Sequence, residues 1–76
     1  MKELLHYIVE FLVDSPKEIQ ITEVKGEGTL ILELAVKPDD IGKVIGREGQ
    51  TVRAIRTILN AASGNTGKRV VLEILE

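Results

Sequence analysis

Residues 43–55 read KVIGREGQTVRAI. Gly46 and Gly49 stand three apart, Arg47 and Glu48 fill the gap, and apolar residues at helical spacing flank both sides. Three uses fit such a stretch: a plain turn, a DNA-reading helix pair, or a loop shaped for a phosphate backbone. The third has a physical basis. If one helix ends at Gly46 and the next begins at Gly49, the second helix opens with unpaired N–H groups and a partial positive charge. A glycine there lets a phosphate reach the backbone without striking a Cβ. One or two phosphates of a strand fit such a site, with Lys43 and Arg47 at its rim. Arg53, one helical turn beyond Gly49, is in reach of the same backbone. Ile41, Val44, Ile45 and Val52 would line an apolar groove beside it.

Charge supports an anionic partner locally rather than globally. The 76-residue chain has a net charge of −2. Residues 1–40 carry −5, residues 41–69 carry +5 and residues 70–76 carry −2. The positive block is Lys43, Arg47, Arg53, Arg56, Lys68 and Arg69 against Glu48 alone. For a polyanion the local field matters more than the sum.

Other chemistries are poorly served. There is no cysteine and one histidine, His6, so disulfides, thiolate metal sites and a Cys/His nucleophile pair are excluded. No phosphate-loop GxxxxGK[ST] occurs. Asp39 and Asp40 are a carboxylate pair, but the start of a helix accounts for them. We expect no enzyme, no cofactor, no metal and no small-molecule substrate. No apolar run approaches the roughly 18 residues that span a bilayer. Glu3, Glu10 and Asp14 interrupt the apolar start, which a secretory signal would not tolerate. We expect a cytoplasmic protein without a membrane partner.

The elements that must position the loop follow from periodicity. Met1, Leu4, Leu5, Ile8, Phe11 and Leu12 repeat at helical spacing over about residues 2–13, and Pro16 forces an end. Tyr7 and Phe11 are the only aromatics, and their i, i+4 spacing predicts a packing pair. EIQITEVKGEGTLILELAV reads as two strands joined by a tight loop, with glycines where positive φ is needed. Leu30, Leu32, Leu34 and Val36 share one face, so the second strand, about 29–36, is central. A short helix starts at Pro38. A longer one covers about 50–63 with Val52, Ile55, Leu59 and Ala62 in one stripe and Ile58 beside it. Gly64, within SGNTG, is its expected left-handed cap. KRVVLEIL is a last strand with Val70, Leu72 and Ile74 on one face.

The order is α-β-β-α-α-β. A helix pair between the second and third strands is a crossover, so those strands run parallel. The fold class is therefore α+β: a three-stranded mixed sheet with all helices on one face, in one domain over residues 1–76.

With that order in hand, Ile41-Gly42-Lys43-Val44-Ile45-Gly46-Arg47-Glu48-Gly49-Gln50-Thr51-Val52 resembles the signature of the K-homology (KH) domain, I-G-x-x-I-G-x-x-G-x-x-[I/V]. The element order resembles type II KH domains, and the chain is most similar to the small bacterial single-KH proteins of the KhpA type. The resemblance implies binding of single-stranded RNA, about four nucleotides held by a GXXG loop at 46–49. It implies a role as an RNA chaperone or post-transcriptional regulator. It also implies pairing, as a homodimer or with another KH-containing protein. The implied contact residues are Lys43, Ile45, Gly46, Arg47, Glu48, Gly49, Gln50, Val52, Arg53 and Arg56. Ile41 and Val44 would lie in the groove, and Lys68 and Arg69 would form its far wall. Arg47 and Glu48 cancel in charge where the family's pair is usually net basic.

Two other readings compete. A helix-turn-helix DNA reader also pairs helices around a glycine turn, but only Gln50, Thr51 and Arg53 could read bases there. A protein-interaction module on the same fold would use the sheet face away from the helices, where Ile31, Val71 and Leu75 should point beside Glu33 and Glu73. Base stacking on the sheet is disfavoured, since neither aromatic lies on a strand.

Overall fold

Strict alternation organises the centre of the chain. In the computed structural model, which describes residues 1–64 and 67–76, strand β2 spans Thr29–Ala35. Leu30, Leu32 and Leu34 point inward and are buried, as is Val36 just beyond. Strand β1, Gln20–Gly26, pairs antiparallel with β2. Strand β3, Arg69–Ile74, pairs parallel with its other side, so the sheet order is β1-β2-β3. The central position expected for the second strand is observed. The hairpin turns through Gly28 at φ 66°, whereas Gly26 is still extended strand.

Helix α1 is Lys2–Glu10, α2 is Ile41–Ile45 and α3 is Gln50–Ala62. Leu5 and Val9 of α1, Val44 of α2, and Val52, Ile55 and Leu59 of α3 join the leucines of β2 and Val70 and Leu72 of β3 in one aliphatic core. A 3-10 turn, Pro38–Asp40, leads into α2. The order α-β-β-α-α-β and the mixed three-stranded sheet are as expected.

Three local expectations change. The first helix stops at Glu10, not near residue 13, because its last bonds tighten: Phe11 N–H donates to the Ile8 carbonyl at 3.3 Å and Leu12 N–H to Val9 at 2.8 Å. The buried line is Leu5, Val9 and Val13, while Phe11 faces outward. At the end of α3, Ser63 takes the buried position expected of Ala62. Its hydroxyl lies within hydrogen-bond reach of two carbonyls, Asn60 at 3.1 Å and Lys68 at 3.3 Å, and donates its one proton between them; the Asn60 carbonyl is one the helix leaves open. Gly64 is therefore not a left-handed cap; the positive φ belongs to Gly67, at 73°. Asn65 and Thr66, also part of the expected stop, lie outside the described residues.

Candidate nucleic-acid interface

The loop between α2 and α3 is set by backbone conformation. Gly46 closes α2 at φ 76°, ψ 174°, a region that essentially only glycine occupies. Glu48 sits at φ 55° and Gly49 at φ 74°, and Gly49 N–H donates to the Gly46 carbonyl at 3.1 Å. The two glycines differ in surroundings. A Cβ on Gly46 would overlap the Thr51 side chain and lie 2.9 Å from its backbone nitrogen. A Cβ on Gly49 would meet nothing within 4 Å. Gly46 is thus packed against the first turn of α3, and Gly49 faces open space at the helix start.

Arg53 turns out to be part of the loop's own architecture. Its Nη2 donates to the Glu48 carbonyl at 2.8 Å and its Nε to the Gly49 carbonyl at 3.4 Å. These bonds brace the loop against the first turn of α3. Arg47, Glu48 and Gln50 are exposed around it.

Lys43, expected as a rim cation, is engaged by two carboxylates. Its ammonium donates to Asp14 and, at 3.3 Å, to Asp40 Oδ1. Asp40, 1% exposed, also accepts the Ser15 N–H at 3.1 Å. The cluster ties the turn after α1 to the start of α2. Burial pushes the Asp40 carboxyl upward, but the backbone N–H groups of Asp14 and Ser15 and the Lys43 ammonium outweigh it and hold the pKa below the ordinary range. Lys43 is held above its ordinary value, first by its hydrogen bond to Asp14 and then, against burial, by Asp40. Asp40 therefore does more than complement a helix dipole, as its place at a helix start had suggested.

The apolar set divides. Ile41 and Ile45 are half-buried. Val44 is 0% and Val52 7% exposed, so both are core residues beneath the loop rather than groove surface.

The seam between α3 and β3 forms a cleft of about 310 Å³ lined by Arg56, Asn60, Arg69, Val70, Val71 and Leu72. Arg56 donates to the Leu72 carbonyl at 3.3 Å. Asn60 binds both backbone groups of Val70: Nδ2 donates to its carbonyl at 3.1 Å, and Oδ1 accepts its N–H at 3.0 Å. Arg56 and Arg69 therefore come together, but Lys68 lines a separate hollow with Met1, Leu30 and Ser63. Asn60 was not among the contact residues expected from the sequence. Its i, i+4 spacing from Arg56 was the available signal for a shared partner.

Comparison with known proteins gives the family. The family model for the KhpA/KhpB KH domain matches residues 2–74. A protein of Clostridium acetobutylicum named RNA-binding protein KhpA is 53% identical over 75 residues, covering 99% of this chain and all of the relative. One of the same name from Chlamydia pneumoniae is 53% identical, covering 100% of this chain and 97% of the relative. Another from Aquifex aeolicus is 47% identical, covering 100% and 96%. No solved structure matches the chain. With the GXXG loop seated between α2 and α3 and the family model spanning nearly every residue, the chain belongs to the KhpA/KhpB family of KH domains.

Proposed function

We propose that this chain binds single-stranded RNA, with one or two backbone phosphates held at the Gly46–Gly49 loop and the first turn of α3. The carrying observation is the open approach to Gly49 at the head of a 13-residue helix, in a loop that Arg53 braces through the Glu48 carbonyl. Membership of a family whose relatives are named RNA-binding proteins supports it. Arg47 is the exposed cation of the loop, and Arg56 and Arg69 extend positive charge along the α3–β3 cleft. Lys43 is spent on Asp14 and Asp40, and Glu48 offsets Arg47, so contacts are few and affinity for a short strand is weak. On this reading residues 1–76 act as one KH unit, performing no catalysis, in the cytoplasm, as an RNA chaperone or post-transcriptional regulator. One groove of about four nucleotides offers little selectivity. Pairing with a second copy or another KH-bearing protein would make the second contact intramolecular and raise avidity by about a hundredfold.

The test is Arg47→Asp with Glu48→Asp. Both side chains are exposed, so circular dichroism should show an unchanged fold while filter binding shows RNA affinity lost. A folded double mutant with full affinity overturns the assignment.

A second reading has one observation in its favour. On the sheet face away from the helices, Val24 pairs with Ile31 and Ile31 with Val71, an apolar row across all three strands. That row would serve an interaction module.

A further inference from the structure

Among the described residues Asp40 carries the one ionisable side chain that is buried. A buried carboxylate is costly unless donors fill its oxygens. Here Oδ2 accepts the Ser15 N–H at 3.1 Å and Oδ1 accepts from the Lys43 ammonium at 3.3 Å. The same ammonium donates to Asp14. Ser15 lies 25 residues before Asp40, and Asp14 lies 29 before Lys43. The cluster is therefore a tertiary clamp that fastens the turn after α1 to the start of α2.

What it fastens matters for the loop. Helix α2 has five residues, Ile41–Ile45, of which only Val44 is fully buried. A helix that short does not hold itself in water. Its direction is set from outside, by Val44, by the half-buried Ile41 and Ile45, and by the clamp at its first turn. Its far end is Gly46, whose N–H donates to the Gly42 carbonyl at 2.9 Å and which opens the loop. A tilt of α2 about Asp40 therefore moves Gly46. The other end of the loop is held separately, by Arg53 on the Glu48 and Gly49 carbonyls. Lys43 itself points away from the loop. Its ammonium is drawn back to Asp40, which precedes Gly46 by about 9 Å along a helix axis. To reach a phosphate it would have to leave two carboxylates, one of them buried. We propose that Asp40 and Lys43 are positioning residues for RNA binding: they fix α2, and with it the Gly46 end of the loop, against the turn after α1, and neither touches RNA. The proposal rests on the loop reading given above.

The test uses the sign of each effect on affinity. A short single-stranded RNA is titrated into the full chain and into Asp40→Asn, Lys43→Met and Asp14→Asn, well below each melting temperature so that only folded protein is compared. If these charges acted on RNA directly, removing the acid at 40 or 14 would tighten binding and removing Lys43 would loosen it. If the cluster only stabilised the fold, the folded variants would bind like the parent. Positioning predicts a loss in all three: about fivefold or more for Asp40→Asn and Lys43→Met, and about twofold to threefold for Asp14→Asn. The double variant Asp40→Asn with Lys43→Met should lose little more than either single one, since the two act as a unit. The log–log salt slope of Lys43→Met should equal the parent's, whereas Arg47→Gln lowers its magnitude by about 0.7. Should Asp40→Asn fail to fold, Asp14→Asn decides, because that side chain is exposed. Parent-level or tighter binding by folded Asp14→Asn or Asp40→Asn overturns the proposal, as does a salt slope reduced in Lys43→Met. The control is Arg47→Asp with Glu48→Asp: if that variant keeps full affinity, the loop reading fails and the proposal falls with it, whereas loss there beside unchanged affinity in the cluster variants removes the proposal alone.

Discussion

Gly46 and Gly49 both hold positive φ, but only Gly46 is also pressed against a neighbour, the Thr51 side chain. Alanine at Gly49 should cost about 1–2 kcal/mol, the strain of a left-handed L-residue. Alanine at Gly46 combines a glycine-only conformation with overlap and should cost about 3 kcal/mol or more. Against a total stability of about 4–11 kcal/mol for a chain of this size, chemical denaturation would separate the two. Equal losses would contradict the loop geometry. Gly49→Ala should nonetheless weaken RNA binding, because its Cβ enters the space left for the phosphate. Asp40 gives a second residue-level expectation. Its folded pKa is depressed, so its contribution is complete above the ordinary carboxylate value of about 3.9 and is lost as pH falls through the folded value. Lys43 is raised, so its contribution is complete below about 10.4 and is lost as pH rises through its folded value. Melting temperature should be flat between these limits with respect to this pair. Asp40→Asn should lower it at neutral pH and shrink the fall below pH 4. An unchanged acid limb in the variant would remove Asp40 from the account.

At the scale of elements, α3 is the piece that joins site to sheet. Its first turn presents the loop, its buried line of Val52, Ile55 and Leu59 fills the core, and Asn60 holds the outward edge of β3 at Val70. Asn60→Ala removes both of those bonds from an edge that water can reach, so the loss should be about 1–2 kcal/mol. Hydrogen exchange at the Val70 amide should quicken well beyond that of Val71. Equal protection in the variant would show that Asn60 does not hold the edge. Much of this arrangement is legible in the sequence. Leu30, Leu32, Leu34 and Val36 mark the central strand because alternation has only one folded meaning beside a buried face. The GREG loop is legible because glycines there have a conformational reason. The Asp14–Lys43–Asp40–Ser15 cluster is not, since its partners lie 25 and 29 residues apart and no local period relates them. The outward turn of Phe11 is equally hidden: the apolar arc of α1 is wider than the core it covers, and only tertiary packing selects the buried line. Val44 and Val52 were read as groove for the same reason, as spacing shows a helix face but not its depth.

At the scale of the molecule, charge is divided along the chain. The acidic first forty residues supply α1 and the hairpin, and the basic block from 41 to 69 supplies the loop and the α3–β3 cleft. A strand of RNA should therefore lie on one side only. With about two to four phosphate contacts, each contributing about −0.7 on a single strand, the log–log salt slope should be roughly −1.5 to −3. A slope near zero, or tighter binding to duplex DNA, would contradict this. Sedimentation equilibrium at micromolar concentration should show self-association, or its appearance on adding another KH-bearing protein. If Ile31→Glu abolishes it, the apolar row of Val24, Ile31 and Val71 is the interface. A monomer that holds long RNA as tightly as a dimer would removes the reason to expect pairing. The central claim is that backbone phosphates sit at the loop between α2 and α3, and amide shift mapping of the isotope-labelled chain with a short single-stranded RNA tests it most directly. The account predicts the largest shifts at residues 46–53, smaller ones along Arg56, Asn60 and Arg69, and none at Val24, Ile31 or Val71. Shifts confined to the outer sheet face, with residues 46–53 unmoved, would contradict it.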